Sequence, residues 1–164
     1  MTQYILSNKE MSKADLLTIE SGISSLDLMF NAGKKVFDNL PIQRGKKALF
    51  ICGPGNNGGD GYVAADLLSK QGMEIDIYCP ISKAKESNDN LYYKQKLNNS
   101  LFISKIKNIT NYCYVVDALF GTGLSRTISG DLVPLINNIN NSKLDVYSVD
   151  IPSGINGDTS AVLG

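Results

Sequence analysis

Between Lys47 and Gly61 the chain reads KALFICGPGNNGGDG, an apolar run followed by a glycine-rich stretch. The apolar run predicts a buried strand over 48–52, and the residues after the glycines predict a helix over 61–71. Glycines in a turn between a strand and a helix let backbone N–H groups approach a ligand closely. A ligand site is therefore expected at this turn.

The rest of the chain alternates between strand and helix patterns. Two helices are predicted first, one over 7–21 and one from Ser24 or Ser25 to about Leu40. Further strands are predicted at 74–79, 112–117 and 145–150, with a short one at 101–103, and further helices at 87–97 and 130–140. This alternation predicts an α/β fold in one domain, a three-layer Rossmann-like sheet that is mostly parallel and carries helices on both faces.

Composition narrows the possible functions of the 164-residue chain. Its 16 basic and 16 acidic residues give no net charge, which favours neither nucleic acid nor an anionic membrane as a partner. Three cysteines, no signal-peptide core at the N-terminus and no membrane-length apolar run predict a cytoplasmic protein. The sequence contains no histidine, so catalysis by a Ser-His-Asp or Cys-His arrangement is excluded.

Three segments are expected to meet where ligands bind in such sheets, beyond the carboxyl ends of the strands. They are the glycine-rich turn, the loop that begins at Asp117, and the loop that begins at Asp150. Either Asp alone could simply cap the structure that follows it. Together with Asn57 and Ser153, however, they offer the oxygen ligands that a hard cation prefers.

The glycines at 53, 55 and 58 also match the dinucleotide pattern G-x-G-x-x-G, and Asp76 follows at the spacing of a ribose-binding carboxylate. That pattern is typical of NAD-dependent oxidoreductases. Pro54 removes an amide from the turn, and Asp60 at the start of the predicted helix would repel a diphosphate. The alternative is that Asp60 caps the helix and accepts hydrogen bonds from ligand hydroxyls.

Five segments resemble the YjeF N-terminal domain family, whose best-known activity is NAD(P)H-hydrate epimerase. They are GPGNNGGDG at 53–61, VDALFGTG at 116–123, VDIPSGINGDT at 149–159, GISSLDLM at 22–29 and NAG at 31–33. The resemblance implies that the substrates are NADHX and NADPHX, which are hydrated NADH and NADPH. The enzyme would interconvert their R and S epimers, and a separate dehydratase would then restore the S form.

The same resemblance implies a set of site residues. Those expected to bind substrate are Asn56, Asn57, Gly58, Gly59, Asp60, Gly121, Thr122, Gly123, Leu124, Ser125, Arg126, Thr127 and Asp150. A potassium ion would be held by Asn57, Asp117 and Ser153. Asp150 is the candidate catalytic acid and base, and Tyr62 and Lys83 are weaker candidates.

Two departures from the family pattern are visible. Phe30 stands where the family usually has Glu, and the chain stops at Gly164, before the C-terminal strands that the family domain normally adds. A truncated sheet with an unpaired edge is therefore expected. A homodimer through the N-terminal helices is also possible, because Leu28, Met29 and Phe30 form an apolar face; the alternative is that this face packs on the chain's own sheet.

A different class of function remains open at this point. Relatives of this fold include non-catalytic modules that bind nucleotides, RNA or other proteins. Those modules tend to lose the Asn-Asn-Gly-Gly-Asp loop, so its presence here favours the enzyme.

Overall fold

The computed structural model describes residues 6–81 and 84–164. The helices and strands within these ranges, in chain order, are α1 (Asn8–Glu20), α2 (Ser25–Asn39), β1 (Lys47–Cys52), α3 (Asn56–Lys70), β2 (Glu74–Tyr78), α4 (Asn88–Lys96), β3 (Phe102–Ile103), β4 (Tyr114–Ala118), α5 (Leu132–Asn141) and β5 (Asp145–Ser148). Each lies within two residues of its predicted bounds, except at the start of α3.

The strands described form one sheet in the order β3-β2-β1-β4-β5, with every neighbouring pair parallel. The chain moves outward from β1 to β2 and β3, then returns to place β4 on the other side of β1. In sheets of this kind the strand order reverses beside the central strand, and the loops that leave the two strands there diverge and open a crevice. The crevice lies between the loops after β1 and β4.

The sheet is covered on both faces, as the alternation of the sequence predicts. Phe50 faces the layer formed by α2, α3 and α4, where it packs in a cluster with Leu68. Leu49 points to the opposite face, where α5 contributes Leu135 and Ile139 to a second cluster. The three-layer α/β architecture is thereby confirmed.

The prediction that α3 starts at Gly61 is wrong, because the helix begins five residues earlier, at Asn56. Three buried glycines lie inside it, although each costs a helix about 1 kcal/mol relative to Ala. A Cβ on Gly59 would lie 2.6 Å from Cε of Met29, and one on Gly61 would lie 2.6 Å from Cβ of Ala118. Close packing against α2 and β4 therefore outweighs the poor helix propensity of these residues.

The apolar face predicted on α2 is divided between two environments. Met29 is buried against α3, whereas the neighbouring Phe30 keeps 39% of its surface exposed. Part of this face therefore packs within the chain, and a homodimer stays a prediction. Over the ranges described, no helix has both the length and the apolar character needed to cross a membrane.

Candidate active site

The glycine-rich stretch presents unpaired backbone donors at the start of α3. Gly55 is the N-cap residue and no side chain caps the helix. Within the described part of the chain, the backbone N–H groups of Asn56 and Asn57 donate to no protein acceptor. These groups carry the positive end of the helix dipole, so the crevice offers hydrogen-bond donors to an anion or a polar ligand.

Asp60 is not the helix cap that the sequence predicts. It is the fifth residue of α3, so its carboxyl group lies one turn inside the helix, and its position gives no reason to exclude a diphosphate at the helix start. Burial, followed by the nearby charges of Asp150 and Asp15, raises the pKa of Asp60 to about 7. Its carboxyl group can therefore hold or release a proton near neutral pH.

Gly121 brings Asn57 and Asp150 together. A Cβ on this glycine would lie 2.8 Å from Oδ2 of Asp150 and 3.4 Å from Cβ of Asn57, so both side chains lie close to the same point of the loop after β4. The backbone N–H of Thr122 donates to Oδ2 of Asp150 at 3.0 Å. Asp150 itself is exposed and lies two residues beyond β5, rather than at the end of the strand as predicted.

Thr122 is also held from its other side, by residues that the sequence did not indicate. Its carbonyl oxygen accepts a hydrogen bond from Nδ2 of Asn8 at 2.8 Å. The backbone N–H of Asn8 in turn donates to Oδ1 of Asp158 at 2.7 Å. The start of α1 is thus tied both to the loop that holds Asp150 and to the turn near the end of the chain. No pattern in the sequence distinguishes Asn8 from the many other asparagines.

Asp117 and Ser153 are hydrogen-bonded to each other. The Ser153 hydroxyl donates to Oδ1 of Asp117 at 2.6 Å, and its backbone N–H donates to Oδ2 at 2.8 Å. Asp117 also accepts the N–H of Leu119 at 3.2 Å, which is the capping use of the residue that the sequence allowed. Asp117 therefore fastens the loop after β5 to the loop after β4.

The side chain of Asn57, in contrast to those of Asp117 and Ser153, forms no hydrogen bond within the described part of the protein. Both of its polar atoms, Oδ1 and Nδ2, are buried without a hydrogen-bond partner in the described part of the protein. A buried amide left unpaired costs about 1–3 kcal/mol per group, so this side chain is poised for a ligand.

The candidate cation ligands lie around the loop after β4. Ser153 accepts the N–H of Phe120 at 3.0 Å, and the next residue, Gly121, lies close to Asn57. Ser153 and Asn57 thus approach adjacent residues of the loop after β4, and a cation held by Asn57, Asp117 and Ser153 stays a prediction. Clusters of three or more His, Cys, Asp or Glu residues able to hold a metal are absent from the described ranges.

The remaining residues of the 121–127 loop differ in their exposure. Gly123 and Ser125 are exposed, whereas the Leu124 side chain is buried and turned into the protein. Arg126 and Thr127 line a cavity of about 370 Å³ between the loop after β2 and the start of α5.

The two weaker candidates for proton transfer fare differently. Tyr62 is buried, its hydroxyl pairs with the thiol of Cys79 at 3.2 Å, and burial raises its pKa well above the usual range. It is therefore a packing residue rather than a proton carrier. Lys83 lies outside the described residues.

The comparison with protein families matches residues 25–164 to "YjeF-related protein N-terminus". The chain belongs to this family. The matched residues include the glycine-rich stretch and the loops after β4 and β5, which are the segments that form the crevice described above.

Several curated proteins that are similar to this YjeF-related chain have names that refer to NAD(P)H-hydrate. It is 36% identical over 170 residues to "NAD(P)H-hydrate epimerase" of Lentilactobacillus buchneri, covering 100% of this chain and 79% of that protein. It is also 36% identical to the protein of the same name from Oenococcus oeni, covering 100% and 81%. A Synechocystis protein named "Bifunctional NAD(P)H-hydrate repair enzyme Nnr" is 32% identical, covering 98% of this chain and 31% of that protein.

The fold of this family member also matches a solved structure, that of yeast ynu0. The TM-score is 0.77 at 22% sequence identity, covering 93% of this chain and 72% of the yeast chain. At this identity the likeness supports the fold only.

Proposed function

We propose that this protein is an NAD(P)H-hydrate epimerase that interconverts the R and S epimers of NADHX and NADPHX. The observation that carries the proposal is the crevice itself, in which Gly121 brings Asp150 and the unpaired Asn57 together beside the free N–H groups of α3. The names of the relatives, which this chain covers over about four fifths of their length, point to the same activity.

Substrate binding follows from the donors in the crevice. The free N–H groups at the start of α3 and the positive end of its dipole favour the diphosphate of a dinucleotide. The loop after β4 adds backbone amides and the Arg126 guanidinium, which suits a phosphate or a ribose. The hydrated ring would then lie near Asp150, where the loops after β4 and β5 approach each other.

Epimerisation requires that the C–O bond at the hydrated carbon break and form again on the other face of the ring. The leaving hydroxyl needs a proton, the ring nitrogen supplies electrons to the carbon, and returning water must give its proton back. We assign both transfers to Asp150, and the assignment is supported by its free oxygen: Thr122 holds only Oδ2, and no described residue donates to Oδ1. The charge of Asp150 is one cause of the raised pKa of Asp60, whose carboxyl group holds or releases a proton near pH 7.

A potassium ion would be held by the oxygens of Asn57, Asp117 and Ser153, which are of the type that a hard cation prefers. When bound, such an ion supplies a fixed positive charge that lowers the cost of negative charge nearby. Asn57 then gains a partner for its buried carbonyl oxygen, while the Ser153 hydroxyl and the Asp117 carboxylate remain close enough to share a ligand.

The test is a chromatographic assay with R-enriched hydrated NADPH in potassium buffer. The wild-type protein should convert R to S well above the spontaneous rate, and Asp150→Asn should lose on the order of 10²–10⁴-fold in rate. Because the Asp150 side chain is exposed, the melting temperature of the Asp150→Asn protein should equal that of the wild type. Asp145→Asn, the same change at an exposed residue at the start of β5, is the matched control and should retain full rate.

Two results would count against the proposal at different levels. A full rate in Asp150→Asn would remove that residue from the chemistry while leaving the epimerase in place. No acceleration by folded wild-type protein would remove the epimerase, and binding of RNA or intact nucleotide would then support the alternative of a non-catalytic module.

A functional partner follows from the reaction. The epimerase only exchanges two hydrates, so another activity must remove the water. Relatives named bifunctional repair enzymes are much longer than this chain, which covers 31% of the Synechocystis protein. We infer that this protein works alongside a dehydratase that acts on the S epimer.

A further inference from the structure

We propose that Asn90 is a positioning residue for substrate binding: its side-chain amide holds the carbonyl groups of the glycine-rich loop so that the N–H groups at the start of α3 face the crevice. This inference rests on the proposed function for the identity of the substrate. Asn90 lies on α4, outside every motif that the sequence indicated.

Asn90 is the one polar residue among the fully buried side chains of the described part of the chain, with 0% of its surface exposed. Its Nδ2 donates to the carbonyl oxygen of Gly53 at 3.1 Å and to that of Gly55 at 2.7 Å. Only the NH₂ end of an amide can face two carbonyl oxygens, so the orientation of this side chain is determined by its partners. One side chain on α4 thus holds two backbone groups of the glycine-rich loop.

The first residue before α4 completes this attachment. The backbone N–H of Ser87 donates to the carbonyl oxygen of Pro54 at 3.0 Å, and its hydroxyl donates to Oδ1 of Asn56 at 2.7 Å. Ser87 and Asn90 together donate hydrogen bonds to the backbone carbonyls of residues 53–55 and to the side-chain carbonyl of Asn56. The acceptors of the loop are therefore turned toward α4.

The consequence for the donors follows from peptide geometry. In a trans peptide unit the carbonyl and the N–H point in opposite directions. The Gly55 carbonyl accepts hydrogen bonds from Asn90 and also from the N–H groups of Gly58 at 3.1 Å and Gly59 at 3.3 Å, so Asn90 and the first turn of α3 together fix the N–H of Asn56. Holding the Pro54 carbonyl toward Ser87 does the same for the N–H of Gly55. The N–H of Asn56 is one of the donors left without a protein partner. Asn90 thereby adds the shortest of the three hydrogen bonds that set the direction of a group expected to contact substrate.

Two further features indicate that position rather than stability is the purpose of this residue. Oδ1 of Asn90 is buried with no partner in the described ranges, so the side chain keeps an unpaired acceptor that an apolar residue would avoid. In addition, a Cβ on Gly58 would lie 2.9 Å from Nδ2 of Asn90, so the amide is seated directly against the helix start.

The test is the variant Asn90→Leu, which keeps the size of the side chain and removes the donor. If Asn90 positions a binding group, KM for hydrated NADPH should rise by about tenfold or more, toward the 10²-fold loss typical of a misplaced contact. The kcat should change little, because ground state and transition state lose the same contact. A merely structural role would instead lower the folded fraction and the melting temperature and leave KM unchanged.

The matched control is Asn88→Leu, the same change at an exposed position of the same helix. A second readout needs no activity: in ¹⁵N-labelled protein, the amide resonances of Gly55 and Asn56 should move in Asn90→Leu and not in Asn88→Leu. If the wild type lacks epimerase activity, the proposed function fails and these resonances alone decide the role of Asn90. Unchanged KM and unmoved resonances would overturn the proposal. If Asn90→Leu does not fold, Asn90→Ala is measured in the same way, and failure of both to fold would assign Asn90 to stability alone.

Discussion

Replacing Gly121 by Ala should disable the site without unfolding the protein. The added Cβ would lie 2.8 Å from Oδ2 of Asp150, whereas an ordinary contact is at least 3.4 Å, so the carboxylate must move by roughly half an ångström. Because Asp150 is an exposed side chain, that movement costs little stability. The same movement breaks the geometry with the Thr122 N–H, and displacements approaching 1 Å cost on the order of 10²-fold in rate. We therefore expect kcat/KM for R to S conversion to fall by about 10- to 100-fold.

The loop contains its own control. A Cβ on Gly123 would meet nothing within 4 Å, so Gly123→Ala should leave Asp150 in place and lose less activity than Gly121→Ala. Both variants are measured by the same chromatographic assay, together with their melting temperatures. Equal activities of Gly121→Ala and Gly123→Ala would refute the reasoning, because the loop would then not be in contact with a working Asp150.

Three further outcomes are expected. The pKa of Asp60 is raised to about 7, above the unfolded value of about 3.9, so its contribution to stability is full below about pH 4 and is lost as the pH rises through 7. Urea unfolding should therefore show Asp60→Asn to be more stable than wild type at pH 8, by on the order of a few kcal/mol, and no more stable at pH 4; an equal difference at both pH values would contradict this. Gly33→Ala should destabilise the protein by about 1–3 kcal/mol in urea unfolding, despite the better helix propensity of Ala, because the new Cβ would stand 2.5 Å from Cβ of Val63; a gain in stability would show that α2 and α3 are not so closely packed. KCl should raise the melting temperature above that in equimolar NaCl, and Asn57→Ala should abolish the difference, whereas a difference that survives the substitution would place the ion elsewhere.

The sheet was largely predictable because each central strand is a continuous apolar run that is visible in the local sequence. Continuous apolar runs such as Leu49 to Ile51 are typical of strands covered on both faces, and in the structure these residues face alternate clusters. The start of α3 was not predictable in the same way. Glycines indicate a turn by propensity, and only the packing of Gly59 against Met29 and Gly61 against Ala118 explains why they are helical.

The candidate site likewise contains residues that a local sequence pattern indicates and residues that it does not. Asn57, Asp117 and Asp150 could be proposed from the sequence because their motifs lie at the ends of strands, and strands of a parallel sheet end at one edge. Asn8 and Asn90 were not found, because an asparagine within a helix of a sequence rich in asparagine has the pattern of an exposed residue. Their roles depend on contacts with residues 114 and 37 or 35 positions away, and such contacts leave no local pattern.

The close packing at the start of α3 has a consequence for how such chains are classified. The glycines at 58, 59 and 61 are required by the contact of α3 with its neighbours, so a relative that loses them must also change how α3 packs. Retained glycines therefore indicate that the packing of α3 is kept, and they do not by themselves indicate the reaction that we propose for Asp150 and Asn57.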